Sequence, residues 1–399
     1  MAGTSARGRR LTDSAPTAEY VAAHHDRAGS DGYIGLAVAE NKLMWDVLGP
    51  RLRAPRNPGP DAVGYDDMTG NRKLREQIGD LLERTWVGRP FAPESIAVLA
   101  GAGSVLEILF YVLADPGDGV LVPTPSYAGF WADLETRDGL AIVPVPTDPG
   151  AGFRLTTDLL DRAIDDAGRP IAAVLLTNPS NPLGTIAAPD EVAGLVAWAA
   201  DRGLHIVLDE IYALSVHDGS PFRSGAAGGL PPHAHLVWAF SKDFSMSGLR
   251  CGVLVTENEE VIRAAGALGY WAAVSGDTQH LLADMLADPV WVDGYLDAMR
   301  SRLGASYRAV SGALDQIGVA HTPASAGFFV FADFREFLEA PTWEAERRLW
   351  REILDGADVN VTPGSACRSP EPGFARICFA AEPPERVAEA VQRIGRVLA

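Results

Sequence analysis

Residues 171–185 read IAAVLLTNPSNPLGT, an apolar run that ends in two asparagines and two prolines. A short, nearly continuous apolar run is typical of a strand that is buried on both faces of a parallel sheet. The loop after such a strand lies at the carboxyl edge of the sheet, where open α/β sheets gather their functional groups. Because proline fixes the backbone angle φ, the sequence predicts a rigid, polar loop at this edge.

Further apolar runs repeat this pattern along the chain. They are SIAVLA (95–100), GVLVP (119–123), LAIVPVP (140–146), LHIVLDE (204–210), HLVWAFS (235–241) and CGVLVT (251–256). Helical stretches separate several of them, for example APDEVAGLVAWAADRG at 188–203. Apolar strands that alternate with helices predict an α/β sheet with helices on both faces.

The rhythm of the sequence changes near residue 290. A long helical stretch from Trp291 to about Ile317 is followed by the short apolar runs GFFVFADF, VNVTPG and ARICFA and by a last helix. This order is typical of a smaller α+β domain. We therefore expect an N-terminal arm with part of the small domain over 1–59, a large domain over 60–290 and a small C-terminal domain over 291–399.

Composition narrows the class of protein. The chain has 399 residues, is 47% apolar and carries a net charge of −18, which disfavours nucleic acid as a partner. Cys251, Cys367 and Cys378 are an odd number without close pairing, so we expect a reducing, cytoplasmic setting. The sequence contains no run of about 18 apolar residues, the length that a membrane span needs, so no span is predicted. The start MAGTSARGRRLTDS lacks the apolar core of a secretory signal, and we expect a disordered tail there.

A glycine turn follows the first predicted strand and opens a helix. Its four residues are Gly101, Ala102, Gly103 and Ser104. A glycine turn at a helix N-terminus exposes backbone N–H groups to an anion, typically a phosphate. Leu106 stands where a dinucleotide-binding motif has its last glycine, so that motif is not met.

Charged residues stand at two other strand ends, where a core does not need them. Asp209 ends an apolar strand, and burying its carboxylate is costly without a cationic partner. Lys242 follows another strand, and Arg250 comes eight residues later. A lysine beside an anion site and an isolated aspartate can form a Schiff base with a carbonyl cofactor, whose pyridinium nitrogen would pair with Asp209. With a phosphate held by the glycine turn and Arg250, these requirements describe pyridoxal 5′-phosphate (PLP).

The combination NPSNPLG, DEIY, SK and GLR resembles the fold-type I PLP enzymes of the aspartate aminotransferase class. The resemblance implies a large domain with a mainly parallel seven-stranded sheet and a small α+β domain. It also implies that Asn181 and Tyr212 donate hydrogen bonds to the ring oxygen of the cofactor. Asn181 would contact the substrate as well. The two prolines would hold Asn181 preorganised for this task.

A finer resemblance covers residues 33–382 and points to the 1-aminocyclopropane-1-carboxylate (ACC) synthases, which act on S-adenosylmethionine. It is carried by GLAVAENKLMWDVL (35–48), GYDDMTGNRKLR (64–75), LADPGDGVLVPTPSYAGFWADL (113–134), VSGDTQHLLADML (274–286) and NVTPGSACRSPEPGFARICFA (360–380). The segments around AEN and TPGSAC carry most of this signal.

This resemblance assigns four further residues. Arg376 would clamp the substrate α-carboxylate, the alternative being a surface salt bridge. Tyr127 would stack on the cofactor ring and assist the chemistry, unless it only packs in its loop. Tyr65 would reach the cofactor phosphate of the other subunit, which implies a homodimer with shared active sites. Glu40 would lie near the substrate sulfonium, the alternative being a carboxylate that stabilises a helix N-terminus.

The chain also departs from the family pattern. Ala239 stands where these enzymes usually have Ser or Thr in contact with the phosphate, so Ser104 or Ser241 would complete that site. The large pair Met44–Trp45 replaces smaller residues. Trp131 and Trp271 add bulk near site segments, which suits a second, flat or nucleotide-like substrate.

The sequence leaves several functions open. The first is Cα deprotonation of S-adenosylmethionine and γ-elimination or γ-replacement with release of methylthioadenosine, either closing the ACC ring or joining a second substrate through a C–C bond. The alternatives are an amino acid aminotransferase and a PLP-binding protein without activity. A metal site is disfavoured because His233 and His235 have no third ligand. A serine hydrolase is disfavoured because the sequence contains no G-x-S-x-G motif.

Overall fold

The computed structural model describes residues 3–13 and 18–399, except for the side chains of Arg10 and Asp13. Its helices are α1 (Ala6–Asp13), α2 (Glu19–Arg27), α3 (Trp45–Arg53), α4 (Arg72–Arg84), α5 (Ala102–Leu113), α6 (Phe130–Glu135), α7 (Thr157–Asp166), α8 (Pro189–Asp201), α9 (Phe240–Asp243), α10 (Glu259–Leu268), α11 (Gly276–Leu286), α12 (Pro289–Gln316), α13 (Trp343–Gly356) and α14 (Pro384–Leu398). Its strands are β1 (Ile34–Gly35), β2 (Ile96–Leu99), β3 (Gly119–Thr124), β4 (Ala141–Pro146), β5 (Ile171–Thr177), β6 (His205–Asp209), β7 (Ala234–Ala239), β8 (Gly252–Val255), β9 (Ala320–His321), β10 (Phe329–Asp333), β11 (Val359–Asn360), β12 (Thr362–Pro363) and β13 (Phe374–Cys378).

A seven-stranded sheet in the order β2-β8-β7-β6-β5-β3-β4 forms the centre of the fold. Only β8 runs antiparallel to its two neighbours. Each of the apolar runs supplies one of these strands, so the predicted, mainly parallel α/β sheet is confirmed. The carboxyl ends of β2, β3, β5, β6 and β7 therefore meet at one edge, together with the start of β8.

The opening stretch shows how sequence sets this geometry. The run Ile171–Thr177 is buried from Ala173 to Leu176, and the ladder stops where Asn178 and Pro179 begin. The backbone N–H of Asn178 donates to the carbonyl of Asp209, 3.0 Å away. Its side-chain oxygen accepts from the N–H of Ala187 at 2.9 Å. The polar loop is thus tied to the end of β6 and to the segment that starts α8.

A second, antiparallel sheet in the order β12-β13-β10-β9 stands apart from the large one. The 28-residue helix α12 leads into it, capped by Asp288, whose carboxylate accepts from the N–H of Trp291 at 3.1 Å. The early strand β1 pairs in parallel with β11, near the C-terminus. The predicted α+β character of the C-terminal part is therefore confirmed, while the boundaries at 59/60 and 290/291 stay a prediction.

The expected disordered start is wrong for the residues that the structure describes there. Residues 6–13 form α1, and the Ser5 hydroxyl accepts from the N–H of Gly8 at 3.1 Å as an N-terminal cap does. The rest of the quoted start, residues 1, 2 and 14, lies outside the described residues. Among the helices described, none combines the length and apolarity needed to span a membrane.

Candidate active site

Lys242 lies one turn beyond the end of β7, in the four-residue helix α9 rather than in a loop. Its ammonium Nζ donates to the carbonyl of Ala39 at 2.7 Å and lies 6.0 Å from the ring centre of Phe328. The next residue, Asp243, is fully buried and accepts from the indole N–H of Trp238 at 2.8 Å. This buried carboxylate fixes the short helix and thereby the position of Lys242.

The surroundings of Lys242 favour its uncharged form. Burial, together with the nearby positive charge of Arg376, lowers the pKa of the Lys242 amine to about 8. A lysine must lose its proton to act as a nucleophile or a base, so a lowered pKa prepares this one for either role.

Asp209 ends β6 at the same edge of the sheet and is 5% exposed. Its carboxylate accepts two long bonds, from the Thr177 hydroxyl and from the N–H of Ile211, both at 3.3 Å. Burial raises the pKa of Asp209 to about 7, while these two bonds act in the opposite direction. A carboxylate that is buried with so little compensation lacks a cationic partner.

The glycine turn forms an anion cradle before α5. Gly101 has φ of +92°, and no described side chain caps this helix. A Cβ on Gly101 would lie 2.4 Å from the Arg250 guanidinium, and one on Gly252 would lie 2.4 Å from the backbone of Gly101. Both glycines are therefore needed for Arg250 to reach the N-terminus of α5, where free N–H groups and the helix dipole favour an anion.

The predicted hydroxyl contacts of this cradle are placed as follows. Ser104 lies in the first turn of α5, and its hydroxyl donates to the carbonyl of Ala100 at 3.2 Å. Ser241 is buried, and its carbonyl accepts from the Ser247 hydroxyl at 2.9 Å. Ala239 ends β7 and is fully buried. The hydroxyl of Ser104 therefore turns to the backbone just before its own helix, and Ser241 is linked through Ser247 to Arg250, which donates to the Ser247 carbonyl at 3.0 Å.

Asn181, Tyr212 and Arg376 form one buried hydrogen-bonded group. The amide nitrogen of Asn181 lies 3.5 Å from the Tyr212 hydroxyl, and the amide oxygen accepts from Arg376 at 3.0 Å. Tyr212 packs edge-on against the rings of Phe328 and Phe329. The loop of the opening stretch thus links the large sheet to β13 of the small one.

Arg376 is 4% exposed and makes no ion pair within the described residues. Besides Asn181, its guanidinium donates to the carbonyl of Ala37 at 2.8 Å and to the Thr362 hydroxyl at 3.2 Å. Its Nε–H is buried without an acceptor in the described part of the chain. The alternative of a surface salt bridge is therefore wrong, and a buried guanidinium with a vacant donor suits a carboxylate ligand.

Tyr127 stands after β3, 40% exposed, with its ring edge-on to Phe130 at 5.3 Å. A Cβ on Gly129 would lie 2.4 Å from the Tyr127 ring, so this glycine makes room for it. The ring is not enclosed in a packed loop and presents one face to a cavity.

Glu40 follows Ala39, the residue whose carbonyl holds Lys242. The carbonyl of Glu40 lies 3.5 Å from the thiol of Cys378, and its carboxylate lies 3.9 Å from the Lys42 ammonium. The nearest helix, α3, begins only at Trp45, so the helix-terminus alternative for Glu40 is wrong. Its negative charge acts on Lys242, since it raises the pKa of that lysine.

The remaining bulky residues of the prediction differ in exposure, and Trp271 lines a cavity together with Ser104 of the glycine turn. Tyr65 is 97% exposed, and Trp271 and Trp45 are also exposed. Met44 instead packs in the core. Tyr65 thus does not join the active site of its own chain.

Sequence reasoning missed some of the site. The carbonyls of Ala37 and Ala39 hold Arg376 and Lys242, and only the quoted AEN segment hinted at their importance. Asp133, on α6, places its carboxylate oxygen 3.6 Å from where a Cβ of Gly103 would be, directly beside the anion cradle. Burial raises the pKa of Asp133 to about 6. No signal in the WADL stretch distinguishes it from a surface helix.

These residues fit PLP on three observations. Within the described residues, the buried lysine bonds only to a backbone carbonyl and the buried Asp209 carboxylate makes no ion pair, while a glycine cradle with an arginine stands at a helix N-terminus. Asn181 and Tyr212 supply further buried donors. By contrast, no cluster of three or more metal-ligating residues occurs in the described part of the chain. His235 bonds to His205 at 3.0 Å and to Thr256 at 2.9 Å.

Arg376→Lys is expected to raise KM for the amino acid substrate by at least about 100-fold. A lysine presents a point charge where the guanidinium offers fixed, planar donors. Steady-state kinetics of both variants measure this, with Arg348→Lys, an exposed arginine paired with Glu339, as the control. An unchanged KM with normal PLP absorbance would remove Arg376 from the substrate site.

Comparisons with known proteins agree with this geometry. The profile of the family "Aminotransferase class I and II" matches residues 33–394. The 1-aminocyclopropane-1-carboxylate synthase 3 of Oryza sativa subsp. japonica is 37% identical over 394 residues, 91% of this chain and 87% of that protein. The synthase 6 of Arabidopsis thaliana is 34% identical over 384 residues, 91% and 78% of the two chains. The structure of aspartate aminotransferase from Thermus thermophilus with maleate superposes with a TM-score of 0.85 at 25% identity, covering 100% of both chains.

Proposed function

We propose that this chain, which belongs to the class I and II aminotransferase family and is a PLP-dependent enzyme, acts on S-adenosylmethionine. In this proposal it removes the Cα proton of the substrate and breaks the Cγ–S bond, releasing methylthioadenosine. The similarity to ACC synthases over most of the chain supports this choice. An aminotransferase is the alternative, which the likeness to the aspartate aminotransferase structure favours.

One observation carries the proposal. The segment Ala39–Glu40 lies directly against Lys242, and Arg376 stands close enough to lower the pKa of the same lysine. A negative and a positive group thus both act on the reacting amine. S-adenosylmethionine carries a sulfonium at one end and a carboxylate at the other, so Glu40 and Arg376 would hold it with Cα facing Lys242.

Each buried residue has a task in this reaction. The bound PLP supplies an electron sink for the charge that develops at Cα. Lys242 takes the Cα proton on Nζ as general base, for which its lowered pKa is suited. Asp209 would hold a negative charge toward the pyridinium nitrogen of bound PLP, and Asn181 and Tyr212 would donate to its ring oxygen.

Ring closure and γ-replacement begin with the same proton transfer and release the same leaving group. The Cα proton passes to Lys242, and the electron pair of the Cγ–S bond leaves on sulfur as methylthioadenosine while a new bond forms at Cγ. Ring closure forms a Cα–Cγ bond from the electron pair left at Cα. In γ-replacement, a second substrate instead supplies the electron pair of a new bond at Cγ and gives up a proton, and Cα regains one.

We also propose a homodimer in a reducing, cytoplasmic compartment. Tyr65, Val63 and Trp271 expose between 74% and 97% of their surface, which suits a face that a second copy covers. Tyr65 would then reach the anion cradle of the partner. The three free, buried cysteines agree with a reducing compartment.

Glu40→Gln is expected to weaken the binding of S-adenosylmethionine by about fivefold, or about 1 kcal/mol, and to leave PLP binding unchanged. The effect is modest because the carboxylate is 43% exposed and solvent screens it. Lys42→Gln, which removes the competing cation beside Glu40, is expected to act in the opposite direction. Equal affinities in all three proteins would contradict the role of Glu40.

Spectral titration tests the choice of substrate. The PLP-loaded protein is titrated with S-adenosylmethionine, aspartate and phenylalanine while its visible absorbance is followed. We expect S-adenosylmethionine to saturate the change at a concentration at least about tenfold lower than the other two. Saturation by aspartate or phenylalanine at the lower concentration would favour the aminotransferase alternative.

A further inference from the structure

A cavity of about 560 Å³ opens beside Tyr127 and is distinct from the group around Lys242. The rings of Tyr20, Tyr127, Trp343 and Trp350 line it, together with Arg347 and Arg368. Its lining residues come from the helix α2, the turn after β3, the helix α13 and the loop before β13. Aromatic walls and guanidinium groups are the surroundings in which flat rings stack.

The charges around this cavity are mostly positive. Glu19 accepts ion pairs from both Arg347, at 2.7 Å, and Arg351, at 2.8 Å. Two further carboxylates lie nearby: Glu346 is buried and accepts the N–H groups of Ser365 and Gly373, and Asp133 acts on Tyr127, with burial raising the pKa of Asp133 to about 6. The exposed carboxylate of Glu19 is therefore shared between Arg347 and Arg351.

Arg368 adds a third guanidinium and has no carboxylate partner among the described residues. It lies 4.8 Å above the ring of Trp131, one of the bulky residues noted in the sequence. The acidic residue nearest to it in the loop, Glu371, is already bound to Arg335 at 2.8 Å. The backbone of Arg368 has a φ of +54°, which is uncommon for residues other than glycine and asparagine. Residues with such a backbone angle often occur at functional sites. Arg368 is thus held at the rim of the cavity with its charge available.

This charge pattern does not match the proposed amino acid substrate. The adenosyl part of S-adenosylmethionine carries no negative group, and its sulfonium is itself positive. Among the lining residues, Arg347 and Arg368 against the single carboxylate of Glu19 leave an excess of positive charge, although the chain as a whole carries −18. A local cationic site on an acidic protein selects an anion by attraction.

We propose that the cavity binds a second substrate, a flat aromatic ring that carries a phosphate or a carboxylate. Its ring would stack among Tyr20, Trp343 and Trp350, and its anionic group would bind Arg368. The role as second substrate rests on the proposed function, because Tyr127 would place this ring next to the reacting carbon. The binding site itself does not depend on that reaction.

Binding to the PLP-loaded protein tests this site. The probes are adenosine 5′-monophosphate, adenosine, pyridine-3-carboxylate and pyridine, each followed by quenching of tryptophan fluorescence. We expect at least one anionic probe to bind at least about tenfold more tightly than its neutral counterpart. The probe that does so identifies the anion as phosphate or carboxylate.

Arg368→Ala should weaken that anionic probe by at least about tenfold and leave the neutral one unchanged, and Arg368→Lys should restore part of the loss. Arg348→Ala, on the same helix as Arg347 but paired with Glu339, is the control and should bind as the unaltered protein does. Equal binding of charged and neutral probes, or no effect of Arg368→Ala, would overturn the proposal. PLP absorbance in each variant checks that the fold is kept.

The same preparations separate this inference from the proposed function. Methylthioadenosine release from S-adenosylmethionine alone, without Arg368-dependent binding of either anion, would reject the second site and leave the proposed function standing. Arg368-dependent binding without methylthioadenosine release under any condition would support the site and reject the proposed substrate.

Discussion

Replacing Lys242 by alanine is expected to lower kcat by at least about 10⁴-fold, because in the proposed mechanism this side chain both attaches PLP and acts as the general base. The variant should also lose the visible absorbance of the covalently attached cofactor. No other lysine is placed to substitute for it, since Nζ of Lys242 lies in the buried site beside Ala39 and Phe328.

The chain makes this test unusually clear, because it has three lysines, Lys42, Lys73 and Lys242. Borohydride reduction of the PLP-loaded protein followed by peptide mapping should label Lys242 alone. Lys73→Ala is the control, because Lys73 is exposed and paired with Asp284 at 2.7 Å. A label on Lys42 or Lys73, or an active Lys242→Ala protein, would refute this role.

Asp209→Asn is expected to lower kcat by about 10³-fold, because it removes the buried charge that faces the positive end of the cofactor. Steady-state kinetics with saturating PLP measure the loss. Asp190→Asn, at the exposed start of α8, is the control and should leave kcat unchanged. A kcat within tenfold of the unaltered enzyme would contradict the role of Asp209.

The same substitution should stabilise the protein without PLP. Burial raises the pKa of Asp209 to about 7, above the value near 4 of an unfolded chain. The folded state therefore holds this proton more tightly, and its stability falls as pH rises from about 4 through 7. Asparagine carries no charge to bury, so the variant should be more stable by about 2–4 kcal/mol at pH 8, and by less at pH 5.

Thermal unfolding at the two pH values, with and without PLP, separates a functional from a structural carboxylate. PLP should raise Tm more in the unaltered protein than in Asp209→Asn, because only Asp209 gains an ionic partner. A structural role predicts instead that the variant loses stability at both pH values.

The strands were predictable because they are buried on both faces and therefore read as continuous apolar runs. The strand Ile171–Thr177 has the same bounds in the sequence and in the structure. The bounds of the other predicted strands of the large sheet agree with the structure within two residues. The short helix that carries Lys242 was not predicted; Phe240 and Phe244 are fully buried and Asp243 accepts buried hydrogen bonds, which closes one helical turn. That turn depends on tertiary contacts that a sequence pattern does not contain.

The side chains of the site were predictable where their chemistry is out of place in a core. Asp209, Lys242 and Asn181 stand at the ends of apolar strands, and each lies at the common edge of the sheet. The carbonyls of Ala37 and Ala39 were not predictable, because every residue has a carbonyl. The cavity lined by Tyr20, Trp343 and Arg368 joins segments more than 300 residues apart, so it appears only in the folded chain.

Methylthioadenosine release from S-adenosylmethionine tests the proposed function most directly. The PLP-loaded protein is incubated with S-adenosylmethionine, with and without the anionic probes, and the products are identified by mass spectrometry. We expect methylthioadenosine in amounts that exceed the enzyme, and none from Lys242→Ala. A keto acid formed from aspartate or another ordinary amino acid, with no methylthioadenosine under any of these conditions, would contradict the proposal and identify the enzyme as an aminotransferase.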